Sequence, residues 1–208
     1  MRYVKTLVAG ILAGLFIALG GTVFVVCSAN GLSWLGSILF SCGLMSVCAF
    51  KAKLYTGKIG FIFHSTTEEK IDLPIMFVGN IIGAVAVGYL LFLALPQNYI
   101  DAAIAIADKR ANEEFYIPLI MSFFCGILVY LAVYGWKVIE SAPLKGILLI
   151  LCVTVFVISG MQHCIANMFY FSLANGWNWQ NLLNILLCVV GNSLGAIAVD
   201  AGINFFQK

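Results

Sequence analysis

Charge is distributed very unevenly along the chain. Between Lys5 and Lys51 there is no formal charge in 45 residues, nearly all of them apolar or small. A bilayer core about 30 Å thick is crossed by roughly 20 residues of helix, so this stretch predicts two spans joined by a turn at Ser28-Ala29-Asn30-Gly31. Further apolar runs predict spans from Leu73 to Leu95, Phe115 to Gly135, Gly146 to about Leu173, and Leu182 to Phe206. The polar stretch from Gln97 to Glu114 contains Ala102-Ala-Ile-Ala-Ile-Ala107 and predicts a short interfacial helix leading into the fourth span. Six spans leave little chain over, so residues 1–208 are expected to form one transmembrane domain.

Two of these spans are interrupted at matching places. The apolar run from Leu35 to Phe50 is only 16 residues long and is followed by Lys51-Ala-Lys53-Leu54-Tyr55-Thr56-Gly57-Lys58, then by a short apolar piece to Phe63. Three lysines so close together are costly in lipid. The fifth span is broken by Ser159-Gly160-Met161-Gln162-His163. Irregular backbone and ionisable groups persist at membrane depth only where protein or a water-filled cavity surrounds them. Both breaks therefore point at a pore.

The third and sixth runs share a pattern. Val78-Gly79-Asn80-Ile-Ile-Gly83-Ala84-Val85-Ala86-Val87 and Val190-Gly191-Asn192-Ser-Leu-Gly195-Ala196-Ile-Ala198-Val199 agree at seven of ten positions, at an offset of 112. A weaker echo pairs Gly10-Ile11-Leu12 and Leu15 with Gly126-Ile127-Leu128 and Leu131 at an offset of 116. Two repeats, about 1–97 and 98–208, with three spans each must cross the bilayer in opposite senses. Such inverted repeats build transport paths at the interface between halves. The small-residue spacing also predicts close helix contacts at Gly79, Gly83, Gly191 and Gly195.

Composition agrees with a lipid environment: 62% of residues are hydrophobic, 10% are charged, and mean hydropathy is +1.04, against about 25% charged in soluble domains. Arg2 and Lys5 ahead of an apolar run resemble a signal peptide, but the run is longer than a typical signal core and carries the repeat unit, so it is expected to remain as the first span. Arg2, Lys5, Lys70, Lys137, Lys145 and Lys208 fall on one side of a six-span topology, and Lys109 and Arg110 on the other. The positive-inside rule then places both termini in the cytoplasm of a multi-pass cell-membrane protein. A net charge of +2 with no basic tail gives no footing for nucleic acid. Cysteines 27, 42, 48, 125, 152, 164 and 188 lie in or at the ends of apolar runs without paired spacing, as packing residues do.

Several of these segments together resemble the formate/nitrite transporter family, which also includes hydrosulfide channels. They are Gly160-x-x-His163-x-Ile165-Ala166-Asn167-Met168-Phe169, Leu54-Tyr55-Thr56-Gly57, Gly10-Ile-Leu-Ala-Gly14 and Leu131-Ala-Val133. The resemblance implies an all-α, aquaporin-like fold of six transmembrane helices in two inverted three-helix repeats, with spans two and five broken. It also implies a homopentamer whose protomers each hold a pore. His163 would be the central pore histidine and Thr56 would face it. Phe40, Leu44 and Phe156 match one apolar constriction, and Leu54 with Val129 match the other. Asn167 falls within the histidine motif. The family lysine about 16 residues ahead of the family's fourth-span Asn corresponds to Lys109 or Arg110. No cofactor is implied.

Other features depart from the family pattern. Gly126 stands where the fourth span usually carries Asn, Lys53 and Gln162 replace acidic residues, and Lys58 replaces the Asn after Thr-Gly. Lys51, Lys53 and Lys58 would make one mouth of the path basic and concentrate anions, or would snorkel to headgroups. The expected function is a channel or transporter for small monovalent anions, formate, nitrite or hydrosulfide, with possible proton coupling through His163. An aquaporin-like pore for neutral solutes is the alternative. A membrane enzyme has little support, because His64 and His163 are far apart and no paired carboxylates accompany them.

Overall fold

The structure is a computed structural model describing residues 1–207; Lys208, counted above among the loop cations, lies outside the described residues. The chain is helical, in the order α1 (Arg2–Ala29), α2 (Ser33–Leu39), α3 (Ser41–Ala49), a 3-10 segment (Ile59–Phe63), α4 (Thr67–Phe92), α5 (Gln97–Ala111), α6 (Tyr116–Val138), α7 (Ala142–Ile158), α8 (Cys164–Leu173) and α9 (Trp179–Gln207). Among the described residues, α1, α4, α6 and α9 are long and apolar enough to cross a membrane. The outer surface is apolar, with Leu90, Leu93, Phe115, Leu151, Leu186 and Leu194 exposed, as lipid-facing side chains are.

Helix starts and stops follow local chemistry. Thr66 and Glu69 form a reciprocal capping box at the start of α4, which satisfies two otherwise orphan donors. Pro143 lies in the first turn of α7, where its missing N–H costs nothing. The broken segments end alike. After α3, Ala52 N–H returns to the Val47 carbonyl and Lys51 N–H to Cys48, with Lys51 at φ 56°. After α7, Met161 N–H returns to Phe156 and Gly160 N–H to Val157, with Gly160 at φ 70°. Each is a Schellman stop, whose first residue past the helix cap must be left-handed. Gly160 adopts that geometry freely; Lys51 holds it against its own Cβ.

Close pairing of α1 with α4 and of α6 with α9 forms the frame. A methyl on Gly10 would come 2.7 Å from the Met76 carbonyl oxygen, and one on Gly79 would come 2.6 Å from that of Leu7. Gly14 presses on the Asn80 carbonyl and Gly83 on that of Ile11. In the other pair, Gly126 presses on the Asn192 carbonyl and Gly195 on that of Phe123. These contacts correct the weaker echo: Gly126 corresponds to Gly14, an offset of 112, and the Gly-Ile-Leu match at 116 is one helical turn out of register.

Asn80 and Asn192 anchor the breaks. Asn80 accepts from Tyr55 N–H at 2.8 Å and donates to the carbonyls of Gly10 and Lys53, each at 2.8 Å. Asn192 accepts from Cys164 N–H at 2.9 Å and donates to the carbonyls of Ser122 and Gln162 at 2.8 and 2.9 Å. One amide thus satisfies three backbone groups beside each break, the only way such a segment is tolerated away from water. A second, smaller core packs the 3-10 segment onto α6 and α9, with Tyr130 donating to Asp200 at 2.7 Å and His64 Nε2 3.0 Å from the same carboxylate.

Candidate functional site

The two breaks bring their central residues together. His163 is the N-cap of α8, and its Nδ1 accepts the Ala166 N–H at 3.2 Å. A nitrogen that accepts carries no proton, so the neutral imidazole bears its hydrogen on Nε2 and donates it to Thr56 Oγ1, 2.7 Å away,. Thr56 is delivered by the extended segment after α3, whose Tyr55 N–H is held by Asn80. Both side chains are buried. The N-terminus of α8, the positive end of its dipole, opens at this point.

Two cavities lie near the pair: the smaller touches His163, and the larger is lined by Leu54 and Gly57 on either side of Thr56. The larger, about 560 Å³, is lined by the loop after α3, the start of α4 and the end of α6, and Leu54 lies in its wall. The smaller, about 10 Å³, touches Phe24, Phe40, Arg110, Phe156, His163 and Tyr170. Phe40 meets Phe156 edge-on at 5.9 Å between centroids, and Phe156 stacks on His163 at 6.2 Å. Leu44 and Val129 are buried in the same core and line neither cavity. Between the cavities, polar side chains at Thr56 and His163 are thus enclosed by apolar ones.

Asn167 is placed differently from a lining residue. It is fully buried and donates to Gln162 Oε1 and Asn184 Oδ1, each at 2.8 Å, while accepting from Arg110. Gln162 donates to Glu113, and Asn184 donates to Gln162 Oε1 at 2.9 Å. This network ties α5, α8 and α9 behind the histidine. Its members Glu113, Asn184 and Cys188 carry no signal in the sequence, because the groups that make them a unit come from three helices.

Among the lysines, Lys53 is not a free charge. Its ammonium lies 2.7 Å from Asp72 and 2.8 Å from Thr6, and Arg2 stands 3.3 Å from the other Asp72 oxygen. Lys58 is exposed and lines the larger cavity together with Lys51.

The model of the family described as formate/nitrite transporter matches residues 1–206. The chain belongs to that family. It is an integral membrane protein, 30% identical over 222 residues to the uncharacterized transporter YrhG of Bacillus subtilis (strain 168), covering 96% of this chain and 83% of the relative. It is 29% identical to the formate channel BtFdhC of Bacillus thuringiensis, covering 91% and 81% of the two chains. A pentameric formate channel with formate bound superposes with a TM-score of 0.81 at 23% identity, covering 99% of this chain and 97% of that one. An FNT family ion channel superposes at 0.78 and 21% identity, covering 99% and 89%.

Lys109, Arg110 and Gly126 occupy distinct positions in this formate/nitrite transporter chain. Lys109 is exposed on α5 and points away from the site, whereas Arg110 reaches Asn167 and lies 4.7 Å from the Tyr170 ring centroid. Adjacent helical residues differ by about 100° in direction, so a register known to within one residue cannot choose between them. Of the two, Arg110 is the one that the structure brings into contact with the buried Asn167 network. Gly126 does not leave a gap in a pore wall either: it faces α9, where any side chain would strike the Asn192 carbonyl.

Proposed function

We propose that this chain is a channel or transporter for small monovalent anions such as formate or nitrite, with hydrosulfide as a further candidate. The path runs from the larger cavity past Leu54, through the Thr56–His163 pair and past Phe40 and Phe156 into the cleft under Arg110. The buried Thr56–His163 hydrogen bond, with His163 bordering the smaller cavity beside Phe156 and with Leu54 and Gly57 lining the larger, carries this reading. The names of the relatives support its substrate class.

The chemistry follows from charge. A full anion in an apolar constriction is very costly, and hydrogen bonding lowers that cost only in part. An anion arriving at the pair meets the Thr56 hydroxyl, the Nε2–H of His163 and the positive end of α8. If His163 first takes up a proton on Nδ1, giving up the Ala166 N–H bond, the imidazolium can pass its Nε2 proton to the anion and return to neutral, so that a weak acid passes the next apolar ring without charge while the same rings exclude hydrated ions. Arg110, with no carboxylate within salt-bridge distance among the described residues, draws anions to the opposite mouth.

The proposal includes six crossings in two inverted halves, with α2–α3 and α7–α8 as the broken ones. The matched anchors at Asn80 and Asn192 support it, as do the matched Schellman stops. It also includes a homopentamer of single-domain protomers in the cell membrane. It also assigns both termini to the cytoplasm, because Arg2, Lys51, Lys53, Lys58 and Lys137 gather around the larger cavity and Arg110 borders the smaller one,.

Flux through reconstituted protein tests the reading. Formate and nitrite uptake should saturate and compete with each other. If neutral solutes of similar size swell the liposomes equally fast, and anions do not compete, the protein is a neutral-solute pore.

A further inference from the structure

The larger cavity is bigger than a path for a three-atom anion needs. At about 560 Å³, it falls within the ~300–1,000 Å³ of small-molecule sites. Lys51, Lys53, Lys58 and Lys137 line it against two carboxylates, Glu69 and Asp72. Three of these six groups are already committed, since Lys53 and Asp72 pair with each other and Glu69 accepts from Thr66 in the capping box. Lys51, Lys58 and Lys137 have no carboxylate within 4.0 Å among the described residues.

Two of the free lysines converge. Lys58 comes from the loop after α3 and Lys137 from the last turn of α6, and both line this one cavity. Lys137 is also held inward, its ammonium 5.3 Å from the Phe61 ring centroid. Phe61, Val133 and Trp136 add an apolar wall, and His64 and Ser65 add polar groups at the rim. Two ammoniums that share a partly enclosed cavity with the capping-box carboxylate of Glu69 and no closer ion-pair partner gain most from a ligand that brings two or more negative charges at once. The buried Leu54 closes the inner end, where such a ligand could not shed its hydration.

We propose that this cavity is a binding site for a multivalent, phosphate-bearing anion that is not transported. Lys58 and Lys137 hold its charged end, and its presence blocks the path from that side. The blocking part rests on the cavity being a pore mouth; the binding part does not. A soluble phosphate compound and the phosphate of an anionic lipid headgroup share the required chemistry.

Inorganic pyrophosphate is the probe, titrated calorimetrically into the purified oligomer and added to either face of proteoliposomes taking up formate. Pyrophosphate is expected to bind saturably and to inhibit only from the Lys137 face. Lys58→Gln/Lys137→Gln should weaken binding at least fivefold and lose inhibition, each variant being compared with its own uninhibited flux. Lys137→Met alone, checked for its oligomer by size exclusion, covers the case in which the double variant does not fold; it should weaken binding at least twofold. Inhibition equal in phosphatidylcholine liposomes with and without phosphatidylglycerol identifies a soluble ligand, whereas inhibition lost with phosphatidylglycerol identifies the headgroup; either supports the site. Binding without formate flux in the parent protein would sink the transport reading and leave the site standing. Absence of binding, or binding unchanged in the lysine variants, overturns the site.

Discussion

At the scale of single residues, the charge that adjoins the Leu54–Thr56 segment is partnered by side chains of two other helices. Lys53 precedes the Leu54–Thr56 segment directly and is fastened at its N–H to Ala9, at its carbonyl to Asn80 and at its ammonium to Asp72 and Thr6. Asp72 thereby positions the segment that carries Thr56. Asp72→Asn should lower stability by about 1.5–3 kcal/mol, the usual worth of a hydrogen bond to a charged group, and release an unpaired cation into the cavity. The swapped pair Lys53→Asp/Asp72→Lys should recover part of the lost thermal stability. A swap no more stable than Asp72→Asn would mean that geometry around Thr6, and not the charge pair, sets the loop. None of this was legible from the sequence, where Lys53 reads as a free pore charge because its partner lies on another helix.

Elements carry a different kind of information. The pattern around Asn80 and Asn192 is visible in the sequence because each helix there must supply both a three-way amide anchor and glycines thin enough for a neighbour's backbone. The partner helices α1 and α6 face the same constraint with less sequence in common. Ser122 stands where the first half has Gly10, and only the carbonyl it offers is shared. That is why the Gly-Ile-Leu echo drew the eye one turn out of register. The break after α7 was legible at Gly160, whereas the equivalent stop at Lys51 was not, because a lysine gives no sign of a left-handed backbone. Gly160→Val should cost about 1–2 kcal/mol by the left-handed penalty alone, and Lys51→Gly should raise the melting temperature. Asn192→Ala orphans the Cys164 N–H and the Gln162 carbonyl, at about 1–3 kcal/mol for each buried group left unpaired,, while the Ser122 carbonyl keeps its bond within α6. It should therefore lower thermal stability far more than Asn178→Ala, whose one bond caps the start of α9. Equal losses would mean that water replaces the anchor and that the break is not dry.

For the whole molecule, the uneven distribution of charge is the functional feature that was most readable from the sequence, and its details were the least. Lys51, Lys58 and Lys137 face one cavity and Arg110 the other cleft, so both ends of the proposed path are positive. Lys51→Gln/Lys58→Gln should lower anion uptake more at 10 mM than at 150 mM salt, because screening lengths fall from about 30 Å to about 8 Å. Equal losses at both salts would assign the lysines to packing or to specific contacts, and unchanged uptake would place them among the headgroups. Proton-linked passage through His163 is the claim on which the rest of this account depends. His163→Asn keeps a hydrogen-bond donor but removes the group that can give up and regain a proton. The decisive measurement is the pH profile of formate uptake by His163→Asn and parent protein reconstituted side by side, after both are shown to form the same oligomer. The account predicts that the variant loses the parent's pH dependence and changes its anion preference. The same pH profile and the same preference in both proteins would contradict it, leaving His163 as the cap of α8 and nothing more.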